Sequence, residues 1–434
     1  MRVVMLVANP ITYDGRVVRN AQTLVEAGHD VTVIGVIGPN DRAGELPREV
    51  GFLAQRIDRR KRGVLPRLRW AQSALRRRAA RRLCGLLPDA ALRRLPGLPA
   101  LAEATSGPEL CWAALRTGGD VIHANDLNTL PAAAWAARLL GVPYVYDAHE
   151  LYPDEQPDMP EVDRRVRWTA EAHYIRGAAA VLTVNSLLAD EIAQRYGVPR
   201  PVVLRNVPRP VAVTPPDERP LGASGTLHLL HHGAHVGLEH HGTPDILRAM
   251  ALCRPELDVR LTVRGGLSEP SAAALRARLR ELELLPHVRI FPPVAGAEAL
   301  VRAAADDGAE LGLAVHPGSC LSFRYASSSK IFEYQAAGLA VCATDLVGNR
   351  ISAAEHGAVF FPEGDVEALA RHFRALGHDR ARLRAMQRAA YAFAQAELRW
   401  DKERERLLDV YRELGARRGS AAEKKRRAPA HRRA

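Results

Sequence analysis

The sequence predicts an α/β protein of two doubly wound, Rossmann-like domains facing across a cleft. Three observations carry this. The chain has 434 residues, more than one ordinary domain holds. Apolar runs of strand length alternate with stretches of helical period, the pattern of a parallel sheet. A proline-rich, poorly periodic stretch divides two such series.

The elements follow in order. Residues 2–8 read as a strand whose unbroken apolar run from Val3 to Ala8 marks burial on both faces. Residues 16–27 repeat apolar side chains at helical spacing (Val17, Val18, Ala21, Leu24, Val25), and Gly28 ends them. Residues 30–36 read as the next strand, completing a β-loop-α-β opening. Strands at 121–123 and 144–146 flank a helix at 130–140. Helices at 164–176 and 187–196 alternate with strands at 180–184 and 202–204. Residues 206–224 carry five prolines and read as a linker. The second series has strands at 227–231, 259–263, 288–291, 311–315, 340–343 and 358–360. Helices are expected at 244–251, 271–281, 297–305, 365–376 and 381–414. The organisation predicted is a first domain over 1–206 with a basic insert at 56–98, a linker over 207–225, and a second domain over 226–395. A terminal helix over 396–415 and a disordered basic tail over 416–434 complete it.

The net charge of +12 is uneven: residues 56–82 carry +11 and residues 417–433 carry +7, which leaves −6 for the rest. A nucleic-acid binder would be basic across its body, so no nucleic-acid partner is expected. The five cysteines are scattered without a C-x-x-C pair, which fits a reducing compartment and argues against zinc or disulfides. No apolar run is long enough to span a bilayer, and the N-terminus lacks a leader pattern, so a cytoplasmic location is expected. Residues 65–87 have the composition of a helix lying on anionic lipid. Leu68, Ala71, Leu75, Ala79 and Leu83 form one stripe, and Arg69, Arg76, Arg77, Arg78, Arg81 and Arg82 supply the charge, with Trp70 at one flank.

The most informative stretch is residues 327–345, a loop, a short helix, the stop at Gly338 and a buried strand. Lys330 and Glu333 lie near the start of that helix. A cation there suits phosphate, and a carboxylate one turn on suits ribose hydroxyls. Arg264, Gly265 and Gly266 follow the strand at 259–263, at an edge where ligands bind in open sheets. A cluster of histidines, His231, His232, His235, His240 and His241, has no second ligand set, so no metal site is expected. In the first half, Asp14 reads as the N-cap of a helix carrying Arg16 and Arg19. His123, Asn125 and Asp126 end one strand, and His149 and Glu150 follow another; His123 reads as a core histidine.

Residues 327–345, with Asp120–Asp126 and Val145–Tyr152, resemble the signatures of retaining GT-B glycosyltransferases of the family 4 type; the resemblance runs from Met1 to about Gly415. It implies a GT-B fold whose last helix returns to the first domain. It implies a nucleoside-diphosphate sugar as donor substrate, no cofactor and no metal. It assigns Glu333 to the ribose and Lys330 to the phosphates, with Arg264, Gly265, Gly233, His241 and Arg16 as further binding residues. Asn125, His149 and Glu150 become the candidates at the reacting centre. The sequence departs from the family in two places. Tyr325 stands where a first glutamate is common, and Ala234 and His241 stand where cations usually hold the diphosphate. The acceptor implied is a bacterial cell-surface glycan or lipid-linked saccharide, with an anionic membrane as partner. A nucleotide-sugar 2-epimerase of the same fold, and a catalytically weak scaffold, stay open as alternatives.

Overall fold

The computed structural model describes residues 1–12, 14–38, 51–59, 64–103, 106–239, 242–254, 256–294 and 296–427, the side chains of 64–71 and 420–427 excepted. The chain forms two compact units: Met1–Leu204 with Glu403–Ala434, and Arg205–Lys402.

Unit 1 holds β1 (Arg2–Leu6), β2 (Asp30–Ile37), β3 (Leu53–Asp58), β4 (Val121–Asn125), β5 (Tyr144–Ala148), β6 (Ala180–Thr183) and β7 (Val202–Val203). Their order is β3-β2-β1-β4-β5-β6-β7, and neighbours pair in parallel. The order reverses between β1 and β4, so the loops beyond their carboxyl ends diverge and leave a crevice. Strands β4 and β5 are buried along their length, which is why they read as apolar runs. The predicted insert at 56–98 starts too early, because Arg56 lies within β3. That strand escaped the sequence reading because Gln55, Arg56 and Asp58 interrupt its apolar run at the sheet margin.

Helix Val64–Leu86 follows. Its packed face is Ala80 and Cys84, which meet Leu92, Ala102 and Val166. The leucine stripe turns away: Leu75, Leu83 and Leu86 are 68%, 49% and 81% exposed. Arg81 grips Asp163 with two nitrogens and Arg77 Nε donates to the Ala102 carbonyl at 2.9 Å. Arg76, Arg78 and Arg82 are exposed.

Unit 2 holds β8 (Thr226–His235), β9 (Asp258–Gly266), β10 (Val288–Phe291), β11 (Leu311–Ala314), β12 (Ala340–Thr344) and β13 (Ala358–Phe361). The order β10-β9-β8-β11-β12-β13, again parallel, repeats the first six strands of unit 1. Its core is aliphatic, with Leu229, Leu261 and Leu313 among side chains excluded from solvent. The stretch read as a linker belongs to this unit. Arg384 Nη2 donates to the Arg219 carbonyl at 2.6 Å, and Arg388 pairs with Asp217 at 2.5 Å.

The helix expected over 381–414 is broken at Leu398 into Arg380–Glu397 and Trp400–Arg427. The latter corrects the tail expectation, since 416–427 are helical. Alanine, arginine, lysine and glutamate are strong helix formers, and Arg418 anchors the segment on Asp120 at 3.1 Å. Residues 428–434 lie outside the described residues.

Candidate functional site

Each unit gathers polar side chains beyond the carboxyl ends of its central strands. In unit 2 the helix Ser329–Ala336 starts there. Its N-cap, Ser328, makes no side-chain capping bond; its hydroxyl instead meets His316 Nε2 at 3.0 Å. The first amides of the helix therefore receive no cap from Ser328, and such amides suit an anion. Gly338, at φ +70°, takes the left-handed turn that ends this segment.

Lys330 is the cation of the site. Burial pushes its pKa down to about 8, against the opposing pull of Glu333. A Cβ at Gly233 would stand 3.5 Å from Lys330 Cε and 3.7 Å from Nζ, so the amine lies against the bare backbone of that glycine. Glu333 is 8% exposed, and His232 Nε2 lies 3.2 Å from its Oε2. Burial, with the charges of Lys330, His231 and Arg264, holds the His232 pKa well below the usual range and keeps the ring neutral. Tyr334 fixes the helix: its hydroxyl donates to the Leu313 carbonyl at 3.1 Å. Its ring lies over Gly312, where a Cβ would come within 2.2 Å of it. Gly265 has a packing role, since a Cβ there would meet the Gly233 carbonyl oxygen at 2.4 Å. Arg264 is not a bare cation. It bonds Asp307 at 2.7 Å and lies over the Phe291 ring at 4.8 Å. His241 lies outside the described residues.

In unit 1 the centre is Asp147 on β5, fully buried. Arg16 Nε and Nη2 donate to its two oxygens at 2.9 and 2.7 Å, and Asn20 Nδ2 donates at 3.3 Å. Arg16 Nη1 donates to the Leu204 carbonyl at 2.7 Å. The expectation that Arg16 meets a phosphate is corrected by this: the side chain is buried and its charge is neutralised inside the unit. His149 sits between two carboxylates, with Nδ1 2.8 Å from Asp126 Oδ1 and Nε2 3.3 Å from Asp147 Oδ2. Burial disfavours the imidazolium, but the two carboxylates outweigh it and hold its pKa well above the usual value. Burial would raise both aspartates; His149 lowers Asp126, and Arg16 with His149 lowers Asp147 further.

Asp126 has φ +68°. A left-handed aspartate at a strand end is a strained placement of the sort found at functional sites. Its amide bonds the Asp147 carbonyl at 3.1 Å, and Tyr152 Oη donates to its Oδ1 at 2.5 Å. Beside it opens a cavity of about 390 Å³, lined by Glu103, Asp126, Asn128, His149, Glu150, Tyr152, Glu155 and Arg167. The structure thus brings His149 and Glu150 together at one cavity. It does not bring Asn125 there: that side chain is buried and Nδ2 donates to the Leu6 carbonyl at 3.0 Å. His123 is a core residue, its Nδ1 2.8 Å from Tyr411 Oη. The sequence reading missed Asp147, Asn128 and Arg167 in unit 1 and His316 in unit 2. Asp147 had a signal, since it precedes His149 by two and so shares its side of the strand.

Among the described residues no group of three or more His, Cys, Asp or Glu could hold a metal ion.

Comparison with known proteins agrees with this architecture. The model of the glycosyl transferase 4-like domain matches residues 15–207, and that of glycosyl transferases group 1 matches residues 227–379. The D-inositol 3-phosphate glycosyltransferase of Pseudarthrobacter chlorophenolicus is 30% identical over 253 residues, 55% of this chain and 57% of that relative. The match thus spans little more than half the length of the relative. Among solved structures, sucrose-phosphate synthase from Thermosynechococcus elongatus superposes with a TM-score of 0.64 at 17% identity, covering 96% of this chain and 99% of that one. Anabaena Alr3699/HepE, solved in complex with UDP-glucose, gives 0.63 at 14% identity over 95% and 100%. Two Rossmann-like sheets and two family models that together span most of the sequence lead to one conclusion: the chain belongs to the GT-B, family 4-like glycosyltransferases.

Proposed function

We propose that this glycosyltransferase moves a sugar, with retention of configuration and without a metal, from a nucleoside-diphosphate sugar held by unit 2 to a glycan or lipid-linked acceptor received by unit 1. The observation that carries the donor assignment is Lys330 at the start of helix Ser329–Ala336, lying against Gly233 with Glu333 one turn on. Lys330 and the helix amides receive the diphosphate, and Glu333 receives the ribose hydroxyls. UDP is the first nucleotide to test, because the Anabaena neighbour was solved with UDP-glucose. In the reaction the anomeric carbon–oxygen bond to the diphosphate breaks and a bond to the acceptor oxygen forms on the same face. The acceptor proton passes to the departing diphosphate. The protein's part is to hold the substrates and stabilise leaving-group charge. Glu150 orients the acceptor hydroxyl, with His149, held between Asp126 and Asp147, fixing the wall beside it.

Among the described residues no helix is long and apolar enough to cross a membrane. Leu75, Leu83 and Leu86, exposed beside Arg76, Arg78 and Arg82, support docking on the anionic cytoplasmic face of a bacterial membrane.

Calorimetry with UDP and UDP-glucose tests the donor site, and NMR of the anomeric proton in the product tests retention. The expected results are saturable UDP binding lost in Glu333→Ala, an unchanged anomeric configuration, and turnover insensitive to EDTA. Absence of any nucleotide binding would leave a scaffold in place of an enzyme.

A further inference from the structure

The cavity of unit 1 has an unusual charge balance for a site that receives a small molecule. Its walls carry Glu103, Asp126, Glu150 and Glu155, against two cations, His149 and Arg167. Both cations face carboxylates of the same unit. His149 is held by Asp126 at 2.8 Å and faces Asp147 at 3.3 Å. Arg167 Nη1 bonds Glu155, its Nε lies 3.4 Å from Glu103, and Nη1 also donates to the Tyr152 carbonyl at 3.1 Å. The wall has a further acceptor atom, Asn128 Oδ1, which is buried without a hydrogen-bond partner, as are Arg167 Nε and His149 Nε2, although each of these nitrogens faces a carboxylate. Carboxylates and an amide oxygen all accept hydrogen bonds. What complements them is a ligand rich in donors, namely hydroxyl and ammonium groups. A phosphate or carboxylate on the ligand would meet carboxylates with no free cation in reach.

We propose that the acceptor taken by this cavity is a sugar ring without phosphate or carboxylate, and that a ring bearing a free amine is preferred over a neutral one. This rests on reading the unit 1 cavity as the acceptor site. It would set the chain apart from a transferase named for an inositol phosphate, despite the sequence similarity. Glu155 and Glu103 become specificity-determining through Arg167. Their carboxylates cancel a guanidinium that would otherwise recognise an anion.

The test uses the full-length chain saturated with UDP. Glucosamine, glucose and glucose 6-phosphate are titrated in turn, with binding followed by ligand-observed NMR at low and high salt. The expected order is glucosamine, then glucose, then glucose 6-phosphate, with about tenfold or more between the first and the last. High salt should narrow that gap, because screening weakens both attraction and repulsion. The double variant Glu103→Gln, Glu155→Gln frees Arg167 and should raise glucose 6-phosphate affinity while lowering that of glucosamine. An unchanged tryptophan-monitored urea unfolding curve, which reports on unit 1, shows that this variant is folded, and the wild-type salt series stands without it. Equal affinities, tighter binding of glucose 6-phosphate, or no saturable binding of any of the three while UDP binds would each overturn the proposal. Failure of UDP itself to bind would count against the donor site instead.

Discussion

Unit 1 and unit 2 share a strand order and place polar side chains at the same end of their sheets. They use those side chains in opposite ways. In unit 1 the charges close on one another: Arg16 on Asp147, His149 between Asp147 and Asp126. In unit 2, Lys330 stands against a glycine, and its charge is left for a ligand. The first arrangement neutralises buried charge inside the unit. The second keeps a cation poorly solvated, which strengthens its response to an anion that reaches it. On the proposed function, one fold then yields a filter for the acceptor and a receptor for the donor, depending on whether each charge is given an internal partner.

The largest expected effect breaks the closed network. Asp147→Ala leaves Arg16 buried without its counter-ion and His149 with one carboxylate fewer. Unit 1 should lose about 3–5 kcal/mol. Four of the five tryptophans lie in that unit, so fluorescence-monitored urea unfolding reports on it. Glu333→Gln, in the open site, should leave the curve nearly unmoved. Equal destabilisation by both would erase the distinction drawn between the units.

Next comes the open cation. Lys330→Ala should weaken UDP binding by about 1.5–3 kcal/mol, the scale of a charge-assisted hydrogen bond. The wild-type affinity carries a signature of that lysine. UDP binds the ammonium form, so affinity should fall as pH rises through about 8, while any loss below about 6 belongs to protonation of the terminal phosphate of UDP. A Lys330→Ala series with the same alkaline fall would assign that titration elsewhere.

The closed network has its own pH signature. The pKa of His149 is raised in the fold, so its contribution to stability is fully present below its unfolded value near 6.5. That contribution is lost as pH rises through the higher folded value. Asp126 and Asp147 are depressed, so theirs is present above about 3.8 and lost as pH falls through the folded values. Every tenfold difference in proton affinity between the folded and unfolded chain is worth about 1.4 kcal/mol. His149→Gln should flatten the alkaline limb of the stability profile and make the acid limb shallower, because both aspartates lose a cation that lowers them. An unchanged alkaline limb would mean that His149 is neutral in the fold.

The smallest effects sharpen the same contrast along helix Val64–Leu86. Arg77 and Arg81 are committed to the body, whereas Arg76, Arg78 and Arg82 are exposed. Replacing each exposed arginine with Gln should reduce binding to phosphatidylserine vesicles about fivefold, and less at high salt. Arg81→Gln should act on stability and leave vesicle binding almost untouched. Equal loss from both classes would show that commitment to Asp163 does not matter to lipid.

Most of the sheet skeleton was legible in the sequence because buried parallel strands are continuous apolar runs. The expected strand at 288–291 and helix at 130–140 coincide with the observed ones. Strand β3 was not legible, since an edge position relaxes the demand for apolar side chains. The helix over Ser329–Ala336 and its Gly338 stop were readable from local spacing. The roles of Arg16 and Arg264 were not. A guanidinium in a sequence looks available until folding supplies its partner, and Asp147 and Asp307 are far away in the chain. The cavity walls were only half legible for the same reason: His149 and Glu150 are adjacent, but Glu103 and Arg167 come from other segments.

The bond between His123 and Tyr411 spans 288 positions, and Arg16 reaches Leu204 across 188. These spans have a consequence for synthesis. The segment Met1–Leu204 leaves the ribosome before unit 2, yet the helix that packs on its core is made only after unit 2. Closing such long loops before the contacts repay them is slow. During translation, then, the first-made unit has all its strands but waits for its last helix while the second-made unit matures. His123 acquires its final surroundings only once the segment that carries Tyr411 is made. A pulse-labelling experiment on nascent chains should find unit 2 protease-resistant first, a reversal of the usual order in which domains fold as they emerge.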